Sequence, residues 1–215
     1  MNQKIKVCGL THLNQIQQLI DLNIDFLGFI FYPKSPRFVL THLSLEEISQ
    51  IDSQSKMGVF VNESVENILE IAEKAQLNFI QLHGDETHTF IYHLREKLSD
   101  KIGIIKVVRI GNQTVEELQK TINQQSSIVN FLLFDTDSAA FGGTGKSFDW
   151  NILNKLNIPI PYFLSGGISN ENANEIENLS QKPFALDINS KFEKNPGNKN
   201  LEKIKEFLLT TEHLR

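Results

Sequence analysis

The 215-residue chain contains one cysteine, one tryptophan, two methionines and six prolines. A lone Cys8 admits no internal disulfide, and no Cys/His spacing resembles a zinc site. Long apolar runs are missing. The longest, Phe26 to Tyr32 and Phe131 to Phe134, are far too short to span a bilayer. The first residues, Met-Asn-Gln-Lys-Ile-Lys-Val-Cys-Gly, lack the apolar core of a signal peptide. Positive charge is not in excess either: 21 Lys and Arg against 26 Asp and Glu give a net charge of −5. That balance provides no bulk attraction for nucleic acid or anionic lipid. The expectation is a cytoplasmic chain with neither a nucleic-acid nor a membrane partner.

Twelve glycines and six prolines are too few for a collagen-like or linker-dominated chain. Fifteen Phe against three Tyr point to apolar core aromatics rather than a base-stacking surface. Short runs rich in Ile, Val and Phe predict strands at Ile5–Cys8, Phe26–Phe31, Met57–Val61 and Phe79–His83. Four more are expected at Ile104–Arg109, Asn130–Asp135, Tyr162–Ser165 and Phe184–Ile188. These runs do not alternate strictly, as in parallel strands buried on both faces. Between them Leu13, Ile16, Leu19 and Ile20 recur at helical spacing, as do Val65, Ile68, Leu69 and Ala72, and Leu201, Ile204, Phe207 and Leu208. Ser44 with Glu47 forms a capping box, and Ser64 with Asn67 a weaker start signal.

Eight units of roughly 25 residues predict an α/β fold, one (βα)8 TIM barrel of eight parallel strands. A doubly wound sheet competes, but Cys8-Gly9-Leu10-Thr11 offers one glycine where a dinucleotide site needs several. The single domain covers residues 1–215, with Thr210–Arg215 expected as a short frayed tail.

In such a barrel the chemistry sits where strands end. Cys8, Arg37, Asn62, His83, Arg109, Asp135 and Asp187 fall there. Ser165-Gly166-Gly167-Ile168-Ser169-Asn170 is expected to end the seventh strand and start a helix. Gly166 and Gly167 then bring backbone amides close to an anion. Asn189 and Ser190 add donors from the next loop, so the pair of loops predicts a phosphate site.

Lys6-Val7-Cys8-Gly9-Leu10-Thr11, Gly58-Val59-Phe60-Val61-Asn62 and Gln81-Leu82-His83-Gly84-Asp85-Glu86 form a pattern with Leu27-Gly28-Phe29-Ile30-Phe31-Tyr32-Pro33-Lys34-Ser35-Pro36-Arg37. Leu132-Leu133-Phe134-Asp135-Thr136, Gly142-Gly143-Thr144-Gly145-Lys146-Ser147-Phe148-Asp149-Trp150 and Leu164-Ser165-Gly166-Gly167 continue it. The chain resembles phosphoribosylanthranilate isomerase over nearly its whole length. The resemblance implies an Amadori rearrangement in tryptophan biosynthesis, without cofactor or metal, on a small-molecule phosphoribosyl anthranilate substrate. A monomer or homodimer is expected. The family reads Asp-Val-Ser-Ser-Gly-Val-Glu after the last strand. This chain has Asp187-Ile188-Asn189-Ser190-Lys191-Phe192-Glu193, so Lys191 in place of Gly implies a rearranged backbone donor there.

The resemblance assigns the general base to Cys8 and the general acid to Asp135, with Arg37 near the anthranilate portion. A thiol base needs electropositive neighbours. Lys6, on the same side of its strand, and Arg37 are the candidates. Asp135 needs burial or nearby negative charge to raise its pKa; Phe134 and Phe141 are the expected apolar wall, and Asp187 the second carboxylate. His83, Arg109 and Asp187 are further substrate-facing candidates. Gly142–Gly145 with Lys146 is a candidate mobile cover.

Overall fold

The computed structural model describes residues 3–53, 55–137 and 147–212. Eight parallel strands close into a barrel in chain order. They are β1 (Lys4–Val7), β2 (Phe26–Ile30), β3 (Lys56–Phe60), β4 (Phe79–Leu82), β5 (Gly103–Ile110), β6 (Phe131–Thr136), β7 (Tyr162–Leu164) and β8 (Ala185–Ile188). The first and last strands pair over four residues, from Lys4 opposite Ala185 to Val7 opposite Ile188.

Alternation along each strand divides its side chains between two layers. Ile5, Val7, Leu27, Phe29, Leu132 and Phe134 point outward into a continuous apolar shell under the helices. Phe26, Met57, Ile105, Val107, Leu133 and Phe163 form a second apolar cluster within the barrel, with Phe79, Phe131 and Phe184 at its edge. The rings there meet mostly edge to face, Phe26 on Phe163 at 5.3 Å and Phe131 on Phe163 at 5.4 Å between centroids. Above this apolar cluster the inward positions are polar: Lys6, Gln81, His83, Asp135 and Asp187, all buried.

Helices α1 (Leu13–Asp21), α2 (Leu45–Ser49), α3 (Val65–Lys74), α4 (His88–Lys97), α5 (Val115–Gln125) and α6 (Leu201–Thr210) cover the strands. The capping box forms as expected: Ser44 Oγ accepts from the Glu47 amide at 3.1 Å, and Glu47 Oε2 accepts from the Ser44 amide at 2.8 Å. Yet α2 has only five residues. The buried Lys56 Nζ donates to the carbonyls of Ile48, Ser49 and Ile51 at 2.9–3.3 Å, satisfying the end of this short helix with a cation.

The structure departs from eight regular strand–helix units in two ways. Among the described residues, the connections after β6 and β7 contain 3-10 helices, Trp150–Lys155 and Ala173–Asn178, and no α-helix. After β8 comes a 3-10 turn at Ser190–Phe192, then an antiparallel hairpin of β9 (Glu193–Asn195) and β10 (Asn198–Lys199). At the far end Thr211 is buried and its hydroxyl donates to the Phe207 carbonyl at 2.8 Å, which fastens the start of the expected tail. Phe141 and the Gly142–Lys146 segment lie outside the described residues.

Candidate active site

Cys8 follows β1 directly, and its amide donates to the Ile188 carbonyl at 3.0 Å, locking the thiol's backbone to β8. Room for the thiol comes from Gly28 on β2, where a Cβ would stand 3.0 Å from Cys8 Sγ and 2.9 Å from its Cα. Burial pushes the Cys8 thiol up, while Lys6 and Lys199 pull it down and Asp187 adds to the rise. Of the two candidate cations for the thiol, Lys6 acts on it, and Lys199 from the hairpin adds to the effect; Arg37 pairs with Glu193.

Lys6 is fully buried, with Nζ 2.8 Å from both Asp187 Oδ2 and Gln81 Oε1. Burial alone would lower its pKa, but the Asp187 carboxylate and the thiol raise it, so the ammonium stays charged. Asp187 thus enters the site as the counter-ion of Lys6.

Arg37 sits in the loop after β2 and is held by Glu193 of β9. Its Nη2 lies 2.6 Å from Oε2, and its Nε 3.0 Å from both carboxylate oxygens. Glu193 also accepts from Lys199 Nζ at 2.7 Å and from the Gly197 amide at 3.0 Å. Lys199 completes the group through Asn189 Oδ1 at 2.8 Å.

On the β6 side, Asp135 is buried, and its pKa is pushed up to about 6. Burial is the main cause, and Asp187 adds to it; the Thr136 amide, 2.8 Å from Oδ1, opposes. Phe134 does not wall this carboxyl. Adjacent residues of a strand face opposite ways, and Phe134 packs outward against Tyr162 with ring centroids 5.3 Å apart. His83 Nε2 stands 3.4 Å from Asp135 Oδ2. Burial, with Lys6, Lys106 and Arg109 nearby, drops the imidazole pKa to about 3, so the ring is neutral. Arg109 pairs with Asp85 and approaches Asp137 at 3.9 Å, bridging the loops after β4 and β6 at the rim.

Gly166 and Gly167 both adopt positive φ, +83° and +78°. At Gly167 a Cβ would lie 2.8 Å from Ser147 Cβ, and at Gly166 it would lie 2.6 Å from Thr136 Oγ1. Glycine is therefore required twice over. The helix expected directly after them begins only at Ala173, behind a turn in which Ser169 N donates to Asn172 Oδ1 at 2.8 Å. The amides at these glycines therefore belong to a loop, because the expected helix terminus lies further along the chain. Asn189 commits its Oδ1 to Lys199, so its NH2 is the side-chain group that can donate. Lys191 is exposed within the 3-10 turn and has no positive φ, so the backbone at this position makes no demand for glycine.

Sequence reasoning left Gln81, Glu193 and Lys199 without roles. Gln81 had a usable signal: it lies two residues before His83 on β4 and therefore faces the same way. Glu193 and Lys199 had none in hydrophobic periodicity, because the hairpin that returns them to the mouth is not visible as a strand pattern; their only signal was the family resemblance, in which Glu193 ends the Asp-Val-Ser-Ser-Gly-Val-Glu run and Lys199 follows in a Pro-Gly-x-Lys run. Among the described residues no cluster of His, Cys, Asp and Glu is arranged to hold a metal ion.

Residues 5–210 match the family model of N-(5'-phosphoribosyl)anthranilate isomerase. The N-(5'-phosphoribosyl)anthranilate isomerase of Parabacteroides distasonis is 39% identical over 208 residues, covering 95% of this chain and 91% of that protein. The crystal structure of phosphoribosyl anthranilate isomerase from Thermus thermophilus superposes with a TM-score of 0.81 at 26% identity, covering 99% of this chain and all of the other. A phosphoribosyl anthranilate isomerase solved in complex with reduced 1-(o-carboxyphenylamino)-1-deoxyribulose 5-phosphate is 31% identical, with a TM-score of 0.76 and coverage of 99% and 100%.

Proposed function

The chain belongs to the N-(5'-phosphoribosyl)anthranilate isomerase family, and from that premise we propose that it rearranges N-(5'-phosphoribosyl)anthranilate to 1-(2-carboxyphenylamino)-1-deoxyribulose 5-phosphate in tryptophan biosynthesis. Asp135 is the general acid and Cys8 the general base. The observation that carries this reading is their placement at one barrel mouth, on strands separated by β7 and β8 around the ring. Two proton transfers at different atoms of one sugar call for two groups set apart in this way.

In the first step Asp135 gives its proton to the furanose ring oxygen. The C1'–O bond breaks, and the anthranilate nitrogen's lone pair forms the C=N bond of a cationic Schiff base. A carboxyl with a pKa near 6 is still partly protonated near neutral pH and donates more readily than a thiol. In the second step the Cys8 thiolate removes the C2' proton, and the C–H electrons form the C1'=C2' bond of an enolamine while the nitrogen becomes neutral. The enol hydroxyl then loses its proton and C1' gains one, giving the ketone. Burial disfavours the thiol as an anion. The Schiff base adds a positive charge at the moment the base is needed, which favours thiolate through the same Coulomb effect as Lys6 and Lys199.

Arg37 binds the anthranilate carboxylate, a planar anion suited to a guanidinium. Gly166, Gly167, Asn189 and Ser190 receive the phosphate. His83, Arg109 and Asp187 line or support the sugar site. The same reading places the chain in the cytoplasm, as a monomer or homodimer acting on a small molecule. The decisive experiment follows the loss of phosphoribosylanthranilate fluorescence with purified protein and no added metal or cofactor. Turnover is expected; binding of product without turnover would make the chain a phosphosugar-binding regulator instead.

A further inference from the structure

The inward face of β4 places two polar side chains in line between the base and acid sides of the mouth. Lys6 Nζ donates to Gln81 Oε1 at 2.8 Å, and Gln81 Nε2 lies 3.2 Å from His83 Nδ1. All three residues are buried. The donor and acceptor inventory allows one arrangement. An ammonium has only hydrogens to offer, so the amide must turn its oxygen to Lys6 and its NH2 to the imidazole. Facing an N–H donor, Nδ1 must present its lone pair. A neutral ring then carries its proton on Nε2, the nitrogen 3.4 Å from Asp135 Oδ2. That nitrogen is buried and has no hydrogen-bond partner among the described residues.

We propose that Gln81 is a positioning residue of the isomerisation, which fixes His83 as the Nε2–H tautomer so that His83 donates to the Asp135 carboxylate as that group gives up its proton. The inference rests on the assignment of Asp135 as the acid. A general acid works better when its conjugate base is stabilised in place, and a neutral N–H does this without adding a charge. The long 3.4 Å approach fits a bond that tightens only when Oδ2 becomes anionic. Thr136 already donates to the other oxygen, so the developing carboxylate would be met at both. The opposite tautomer would set a lone pair against Oδ2 and hold the proton on Asp135.

Gln81→Glu reverses the signal while keeping the shape. A carboxylate accepts from Lys6 and also faces Nδ1 as an acceptor, so His83 moves its proton to Nδ1. The experiment reads 15N shifts of histidine-labelled protein, with His83 identified by its absence in His83→Asn. The wild type is expected to show Nε2–H, and Gln81→Glu is expected to show Nδ1–H. Turnover number should fall by at least about tenfold, the usual scale for losing an orienting partner, with KM nearly unchanged. If Gln81→Glu does not fold, Gln81→Met serves: the Nε2–H fraction should fall to a mixture of tautomers, with a smaller loss of turnover. Nδ1–H in the wild type, an unmoved tautomer in either folded variant, or a moved tautomer with undiminished turnover overturns the proposal. An inactive wild type showing the expected tautomer shift would instead overturn the functional reading while leaving the hydrogen-bond relay standing.

Discussion

Arg37 and Glu193 are 156 residues apart in sequence and joined by three contacts of 2.6–3.0 Å, so a protein carboxylate fixes the orientation of the arginine proposed to bind substrate. The contacts use Nε–H and one hydrogen of Nη2. Both hydrogens of Nη1 and the second of Nη2 are left to face a ligand carboxylate. Arg37→Ala should therefore raise KM far more than it lowers kcat, as steady-state kinetics will show. Glu193→Ala strands both Arg37 and the buried Lys199, and breaking a buried pair from one side costs about 3–5 kcal/mol. Thermal unfolding of Glu193→Ala against Arg37→Ala measures this, with the larger loss expected in the former.

Cys8→Ser should lose about two to four orders of magnitude in kcat while keeping much of its ligand affinity. A hydroxyl is a far weaker base than a thiolate, and the volume change is small. Near-native turnover by the folded variant would remove Cys8 from the mechanism.

Asp135→Asn separates activity from stability. An amide cannot supply the proton for ring opening, so turnover on the furanose substrate should collapse, and a pre-opened analogue should be less affected. Stability should move the other way. The folded-state pKa of Asp135 stands near 6, above its ordinary 3.8, so the ionised carboxyl opposes folding. This cost, on the order of 2–3 kcal/mol, is fully present above pH 6, shrinks as pH falls, and is gone only well below the ordinary 3.8, where both states are protonated. The Asn variant should melt above the wild type at pH 7, with the advantage shrinking on acidification. An advantage independent of pH would disprove the electrostatic account.

Gly167→Val places a side chain against Ser147 at a positive φ and crowds the proposed anion site. Calorimetry should show weaker binding of the phosphorylated product, with the dephosphorylated analogue little changed. Equal losses for both ligands in a folded variant would place the phosphate elsewhere. Any contribution from the exposed Lys191 should fade as salt rises.

The barrel was legible because strands buried on both faces carry dense apolar runs, and those runs mark all eight strands to within a residue or two at each end. The covers after β6 and β7 were less legible: a 3-10 turn and an α-helix of one or two turns share the same sparse apolar spacing. Inward and outward faces were readable in part. Placing Asp135 inward already sends Phe134 outward, and pairing Gln81 with His83 follows from the same alternation. Charge partners were not readable. Whether Arg37 meets a thiol or a carboxylate depends on where a hairpin 156 residues later folds back.

The Lys6–Asp187 contact joins β1 to β8, across 181 residues of sequence. The ring therefore completes its charge system only when its last strand docks on its first, and no fragment lacking either end can assemble it. Long-range contacts of this kind carry the greatest loop-closure cost and tend to form late. Recovered activity during refolding should accordingly trail the recovery of helical signal: in this molecule, turnover is a reporter of ring closure.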